Sequence, residues 1–451
     1  MRFIYHFLIS FIACLLLTVV LHGKTTTVTS SSAFSTAVQN ANPGDVIVIK
    51  NGTYTDFGHK TIDCEGTSEN PIIIKSENKH GAVICGGRFT VTGKYITFKD
   101  LRSQNAAITF TISGSYIQVT GCYFSNNAND VIVIKNDQNL IPKYNSIDHN
   151  EIIHFKKMAI LIRVNNVNQY PQHNTIEYNS IIDQIASGEN ADSLRIGTGT
   201  PKFAKLRLYT KIRYNYFEKI NNCNEAISIK SSANNLIGNV VKNSLAGIWI
   251  RKGEDNIVED NWIEDSDEGI LVLGNNNRIM NNVVINSKYG IQLPYGQGYD
   301  LAVDRIPAPN NCIVANNTIY NCSNYGLYMS LWKNRDDWEN NWPNEGRISD
   351  KPPKDNLIIN NIIQGSVGTL FDNDNATSQN DITHQILYTT GSNYGYSGPN
   401  VIKHDPQFRS PPNDFYLKSS SPAVGSSRKV NPHVTSDDRG AIGDYPRGLK
   451  G

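Results

Sequence analysis

Asn239-Val-Val-Lys-Asn-Ser-Leu-Ala-Gly-Ile-Trp-Ile-Arg-Lys-Gly-Glu-Asp-Asn256-Ile-Val-Glu-Asp-Asn261-Trp-Ile263 carries the information from which the fold can be read. It opens with Asn ahead of a short apolar run and repeats that unit 22 residues later, at Asn261. In between lie Gly247-Ile-Trp-Ile and Asn256-Ile-Val, short alternating runs separated by Asn, Asp, Gly or Ser, which read as strands joined by tight bends. The unit recurs in both directions, as Asn150-Glu-Ile-Ile, Asn179-Ser-Ile-Ile, Asn215-Tyr-Phe, Asn282-Val-Val, Asn317-Thr-Ile and Asn361-Ile-Ile. The steps from Asn215 to Asn282 are 24, 22 and 21 residues; the others, 29, 36, 35 and 44, fit one coil plus an insertion. A period near 22 is too short for helical hairpin repeats. Parallel strands normally need long crossovers, but a coil that advances by one strand spacing, about 4.8 Å, stacks each strand on its equivalent in the next coil. The spacing therefore predicts an all-β chain, a single-stranded right-handed parallel β-helix.

The wider composition agrees. Across 451 residues, 42 Lys and Arg oppose 41 Asp and Glu, a net charge of +1, which gives no global pull toward nucleic acid or anionic membranes. Only 18% of residues are charged, and asparagine takes up the difference at about 12% of the chain. An inward Asn at a bend bonds its own backbone and, coil upon coil, its copies above and below. With 15 Phe and 22 Tyr the chain can bury a large core, which excludes disorder; collagen and coiled-coil periodicities are missing. A solenoid has two open ends to cover. The segment from Ser32 to Ala41 is expected to form a short helix over the first. From Asp405 onward the chain is rich in Pro and Ser and loses the period, which reads as a covering tail. The expected organisation is a signal peptide over 1–23, the β-helix over 24–404 and the tail over 405–451.

Residues 1–23 read as a secretory signal, with Arg2 ahead of an apolar run from Phe3 to Leu21 and Gly23 as the small residue for cleavage. The alternative is an uncleaved anchor, since a run of about 19 residues is near the spanning minimum. Cys14 does not close the apolar run, which argues against lipidation. The expected protein is secreted or periplasmic, with no membrane span in the mature chain. Its remaining cysteines, Cys64, Cys85, Cys122, Cys223, Cys312 and Cys322, are even in number and permit disulfides, with buried thiols as the alternative; no spacing matches a zinc site.

Registering one coil on the next finds side chains that linear motifs miss. Ile227-Ser-Ile-Lys230 aligns with Ile248-Trp-Ile-Arg251; with the isoleucines inward, Ser228, Lys230, Trp249 and Arg251 point out, and Lys230 and Arg251 become neighbours. Ile162-Arg163 and Leu194-Arg195 place further guanidinium groups on the same candidate face. A line of cations suits an extended polyanion, and the alternative is a solvated face of unrelated charges. His149 and His154 lie on an adjacent coil and are candidates for substrate contact or acid-base work, or for structural roles. Insertions around 289–309 and 331–354 carry Tyr295, Tyr299, Trp332, Trp338 and Trp342, which either stack on sugar rings or cover the flank.

With these residues in view, the chain resembles the polysaccharide lyases of the alginate lyase and chondroitinase B family over most of its length. The resemblance rests on Asn42-Pro-Gly-Asp-Val-Ile-Val-Ile-Lys-Asn-Gly-Thr-Tyr54, on Glu189-Asn190 ahead of Leu194-Arg-Ile-Gly-Thr198, on Glu225-Ala-Ile-Ser-Ile-Lys230-Ser and on Ile250-Arg251-Lys-Gly253. The tail segments Phe415-Tyr-Leu-Lys and Asp438-Arg-Gly-Ala-Ile-Gly are similar to many exported β-helix proteins. The family implies β-elimination at a uronic acid, with an acidic polysaccharide, alginate first and dermatan sulfate second, as partner. It implies Lys230 as the base, its pKa lowered by Arg251, and an acid-like role for Arg251. Chemically, Arg251 is better suited to stabilising the carboxylate or enolate, because it stays charged. Arg163, Arg195, Trp249 and His149 are the candidate substrate contacts. The family also implies calcium held by one Asn and two Glu. Glu225 matches one Glu, the other falls on Cys223, and Asn190 or Asp192 stands for the Asn. Glu225 shares the parity of the inward Ile227 and Ile229, so it faces out only if the strand begins with a bulge or bend. Lys252 stands where the family commonly has His. A uronan C5-epimerase and a non-catalytic glycan-binding β-helix are the alternatives.

Overall fold

In the computed structural model, residues 23–107, 109–185, 192–222, 225–298, 307–330, 348–374, 379–391 and 393–440 are described. Three long parallel sheets of 14, 13 and 12 strands form the three faces of a right-handed β-helix. One coil shows how the sequence builds it. Asn235–Ile237 lies on the first sheet, Val240–Lys242 on the second and Ala246–Ile250 on the third; the chain then returns to the first sheet at Ile257–Glu259, where Ile257 pairs with Asn235. Inward residues such as Leu236, Val241, Ile248 and Ile250 join one continuous core that runs through the solenoid.

The asparagines stand where the bends need them. At the corner entering the second sheet, Asn150, Asn179, Asn215, Asn239, Asn261, Asn282, Asn317, Asn361 and Gln385 form a buried ladder, each amide donating to the next side-chain oxygen at 2.9–3.1 Å. A second ladder, at the corner entering the first sheet, was not anticipated from sequence. It links Asn145 to Asn174 and runs through Asn234, Asn256 and Asn277, then from Asn356 to Asn380. Thr210 and Cys312 interrupt it, contributing only a backbone N–H to the next Asn. The residue before a ladder Asn adopts the left-handed conformation, as at Asp260 (φ 58°) and Asn281 (φ 55°), a backbone that Asn and Asp tolerate better than other side chains. Asparagine excess therefore has two causes, the ladders and the left-handed corners.

The amino end is covered by the helix Ser31–Gln39, close to the expected segment. Ser30 caps it by accepting from the Ala33 N–H at 3.1 Å, and Phe34 and Val38 are buried, with the Phe34 ring tilted against Phe57 at a centroid distance of 4.9 Å. At the other end Tyr396 packs 4.9 Å from Phe371 of the last third-sheet strand. The tail does more than follow the last coil. Its antiparallel strands Phe408–Ser410 and Asp414–Leu417 lie against the second sheet, where Phe408, Phe415 and Leu417 cover the outward Val240, Trp262 and Val283. Those apolar outward residues explain why the tail runs back along the flank.

Of the two readings left open for the cysteines, the thiol reading holds among the described residues: Cys64, Cys85, Cys122, Cys312 and Cys322 are free thiols, and Cys223 lies outside the described residues. Cys122, Cys312 and Cys322 are buried, which pushes each thiol up to about 12, so they behave as small packed hydrophobes.

Candidate active site

The outer face of the third sheet presents three rows of side chains, one residue per coil in each. One row contains Leu161, Arg195, Ser228, Trp249, Leu271 and Gln292, paired in that order. In a second, Arg163 pairs with Lys135; Gly197 pairs with Lys230, and Arg251 follows Lys230 because Ile229 pairs with Ile250. The third row holds Asp192 and Glu225, which precede the paired Leu194 and Ile227 by the same interval. Glu225 leaves the inward parity of Ile227 because the chain bends at Ala226, the condition the sequence set for it to face out.

Five of the predicted side chains converge. Asp192, fully buried, contacts Arg195 Nε through Oδ2, and the same oxygen lies 3.2 Å from Lys230 Nζ. Arg251 Nη1 lies 3.1 Å from Glu225 Oε1, and its guanidinium sits 5.6 Å from the Trp249 ring centre. Burial and the neighbouring Asp192 push Glu225 well above the carboxylate range, with Arg251 and Lys230 pulling the other way. Burial opposes ionisation of Asp192 too, but the adjacent Lys230 and Arg195 charges help overcome it and hold Asp192 low.

Lys230 has its pKa lowered, chiefly by burial; Asp192 and Glu225 pull the other way, and Arg195 and Arg251 add to the lowering. Burial, not Arg251, is the larger cause, and the sequence had no means to rank them. Gly197 beside Lys230 is held at φ 94°, and a Cβ there would come within 2.6 Å of the Lys230 carbonyl oxygen, so this close approach needs glycine.

Other predicted residues lie apart. Arg163 is two coils before Lys230 on the same face, half-exposed and 3.5 Å from Asp130. Trp249 is buried, packed with Ala246, Leu271 and Leu273 beneath Arg251, so it supports that guanidinium more than it offers a ring face. His149 is corrected: it sits at the corner between the first and second sheets, bonded to Asp148 at 3.0 Å and stacked on Tyr178, away from the third-sheet face. His154 is at the next corner, 3.1 Å from Asp183. Tyr295 is buried and donates to Asp374. Asn190, Tyr299, Trp332, Trp338 and Trp342 lie outside the described residues.

Calcium finds little purchase here. It takes about six to eight oxygens. Among the described residues no group of three or more His, Cys, Asp or Glu is arranged to hold a metal, and the oxygens of Asp192 and Glu225 already face guanidinium and ammonium groups. The described residues therefore do not form a calcium site. The role of Asp192 was missed from sequence, where it figured only as a metal ligand; the step that carries Leu194 to Ile227 also carries Asp192 to Glu225, and that registration was the available signal.

Residues 28–111 match the family model of chondroitinase B, and residues 211–307 that of the periplasmic copper-binding protein NosD. No curated protein matches the chain by sequence. Among solved structures, the PL6 family alginate lyase AlyGC is similar at 20% identity with a TM-score of 0.72, over 86% of this chain and 54% of that one, so the chain spans about half its length. A mannuronic acid specific family 6 lyase from human gut microbiota is 18% identical with a TM-score of 0.70, over 85% of this chain and 92% of that one. The PL6 family polysaccharide lyase Pedsa3628 from Pseudopedobacter saltans is 18% identical with a TM-score of 0.67, over 92% and 98%. The chain thus has the parallel β-helix fold of the PL6 polysaccharide lyases, and its first coils match the chondroitinase B family.

Proposed function

We propose that this protein is a secreted or periplasmic polysaccharide lyase that depolymerises a uronate polysaccharide by β-elimination, with alginate as the leading substrate. The observation that carries the reading is the convergence of Lys230, Arg195 and Arg251 around buried Asp192 and Glu225 on one face of the solenoid. The obstacle in this chemistry is the weak acidity of the uronate C5 proton. Arg251, always cationic and partly exposed, is suited to pair with the substrate carboxylate and stabilise the enolate-like charge that develops beside it. Lys230, in its neutral form, takes the C5 proton; its lowered pKa makes that form accessible. The C5–H electron pair becomes the C4–C5 double bond, and the C4–O pair leaves on the departing sugar oxygen, which takes a proton from the Lys230 ammonium or from water. Asp192 positions Lys230 and Arg195 throughout.

Dermatan sulfate is the second substrate, favoured by the chondroitinase B match over residues 28–111. Calcium, where family 6 lyases use it, neutralises the uronate carboxylate; in this chain that task falls to the guanidinium groups. The test is to mix purified protein with alginate, dermatan sulfate and pectate, with and without calcium, and follow ultraviolet absorbance of unsaturated ends. Absorbance that grows with alginate supports the reading. Its absence with all three polymers overturns it, and a changed uronate composition at unchanged chain length assigns a C5-epimerase instead.

A further inference from the structure

A second concave surface lies on the outer face of the first sheet, a different side of the solenoid from the Lys230 cluster. A cavity of about 540 Å³ opens there over Asn235, Ile257, Arg278 and Ile313, outward residues of four consecutive coils. A smaller one of about 250 Å³ precedes it over Ser146, Thr175 and Lys211, and Tyr209 lines both. From Ser146 to Ile313 the pairing takes six steps of about 4.8 Å, so the trough follows the axis for roughly 29 Å. A ligand that fills such a trough is a chain.

One wall is the row of left-handed corner residues that stand two places ahead of those outward ones. Tyr144, His173 and Tyr209 stack in it at centroid distances of 5.2 and 5.0 Å, the last rings of a column that begins at Tyr95. The column stops because Ala233 takes the next position, and the Arg207 guanidinium lies 5.5 Å from the Tyr209 ring centre. Two contacts fix that guanidinium: Nε donates to the Tyr209 hydroxyl at 3.1 Å, and Nη1 holds Asp255. In the same cavity Arg278 Nη1 donates at 2.8 Å to Nδ1 of His433, on the tail, so His433 is the acceptor and adds no negative charge. Among the residues lining the two cavities, Arg207, Lys211 and Arg278 face one carboxylate, Asp255. The carboxylates of the neighbouring outward row have partners of their own: Asp148 accepts from Thr120 and Gln118, Glu177 from Arg213 and Glu259 from Asn281. The lining is therefore net positive, with two guanidinium groups held in place before any ligand arrives.

We propose that this trough is a second, non-catalytic binding site for an acidic polysaccharide, in which Arg207 and Arg278 hold the carboxylates of a uronate segment against the first sheet. Fixed guanidinium groups match carboxylates, and the amides of Asn235 and Asn276 beside them suit the hydroxyls of a sugar chain. The site does not rest on cleavage at the Lys230 cluster. Where the protein does cleave, a polymer held on one face is kept near the other, so the site favours long substrates over short ones.

The experiment follows the imidazole resonances of His433 by NMR, assigned from their loss in His433→Gln, while a uronate hexamer is added to the full-length Lys230→Arg protein. A saturable shift supports the proposal; resonances that stay in place at saturating hexamer overturn it. A neutral hexamer of the same length is expected to leave His433 unmoved, and an equal shift overturns recognition by charge. Sodium sulfate is the third arm: an affinity matching that of the hexamer shows a site for a lone anion and overturns the chain. Arg207→Ala, which removes a partly exposed guanidinium, is expected to raise Kd for the hexamer by roughly twofold to fivefold, the scale of one such charge contact. An unchanged Kd overturns the proposal. Ile257→Trp, which fills the cavity floor, is expected to abolish the shift, and undiminished binding by the folded variant overturns it as well. Nothing is cleaved in this measurement, so a failure of every polymer to yield unsaturated ends ends the lyase reading alone.

Discussion

Two regions of this solenoid obey the same geometry and use it in opposite ways. At the corner entering the second sheet, Asn239, Asn261 and Asn282 occupy equivalent positions, each with the same bonds to the coil above and below. On the outer face of the third sheet, Arg195, Ser228, Trp249 and Leu271 are equally equivalent in register, and no two are alike. Identity along a row reflects a bond that every coil must make. Difference along a row reflects one place where several coils combine to make something none holds alone. The cluster of Asp192, Arg195, Glu225, Lys230 and Arg251 draws on three consecutive coils, and removing any one coil dismantles it.

The comparison breaks most severely at Lys230. Lys230→Arg keeps a cation beside Asp192 but supplies no neutral base, because a guanidinium stays protonated. We expect kcat to fall by about 10²–10⁴-fold, the usual contribution of a positioned base, with the thermal midpoint nearly unchanged. A variant that retains turnover would show that Lys230 is an electrostatic partner only. The wild-type pH profile sharpens the same point. The active form is deprotonated, so kcat/KM should rise with pH and level off below the range of an ordinary lysine, as the burial-lowered pKa directs. A profile falling over that range assigns the proton transfer elsewhere.

A corner substitution should do the reverse. Asn261 accepts from both the backbone N–H and the side-chain amide of Asn239 at 2.9 Å and donates to Asn282 and to the Leu236 carbonyl. Asn261→Ala leaves two buried donors without acceptors, so stability should drop by on the order of 3 kcal/mol, read by denaturant unfolding, while kcat of the folded protein holds. Loss of kcat without loss of stability would mean that the ladder sets the geometry of the third sheet instead of its stability.

The same contrast explains what the sequence revealed. The second-sheet ladder was legible because one residue type repeats at a near-constant step. The first-sheet ladder escaped because Thr210 and Cys312 interrupt it, and its Asn residues often precede less apolar runs such as Arg278–Met280. Lys230 and Arg251 could be paired because Ile227–Lys230 and Ala246–Ile250 share a pattern of inward isoleucines. His149 misled for a related reason: sequence places it on a nearby coil but does not say which of the three faces it occupies, and the short step from Asp148 to Glu151 puts it at the far corner. The link between Asp192 and Arg195 was hidden because an acidic residue near a resemblance to calcium sites suggests a metal before it suggests an ion pair.

That last ambiguity sets the smallest expected effect. If Asp192 and Glu225 are committed to Arg195, Lys230 and Arg251, as their 3.1–3.2 Å contacts with Arg251 and Lys230 indicate, a bound divalent cation has no carboxylate to itself. Calcium approaching the pair would also have to compete with the fixed guanidinium charges of Arg195 and Arg251 and with the Lys230 nitrogen. Dialysis against a chelator should therefore leave kcat within about twofold, since no contact used in the reaction depends on the ion. A loss that calcium restores and magnesium does not would show that these carboxylates turn from their cations to a metal. In that case the third-sheet face, like the corner ladders, would be built around a ligand shared between coils, and the contrast between the two regions would narrow to which atom does the sharing.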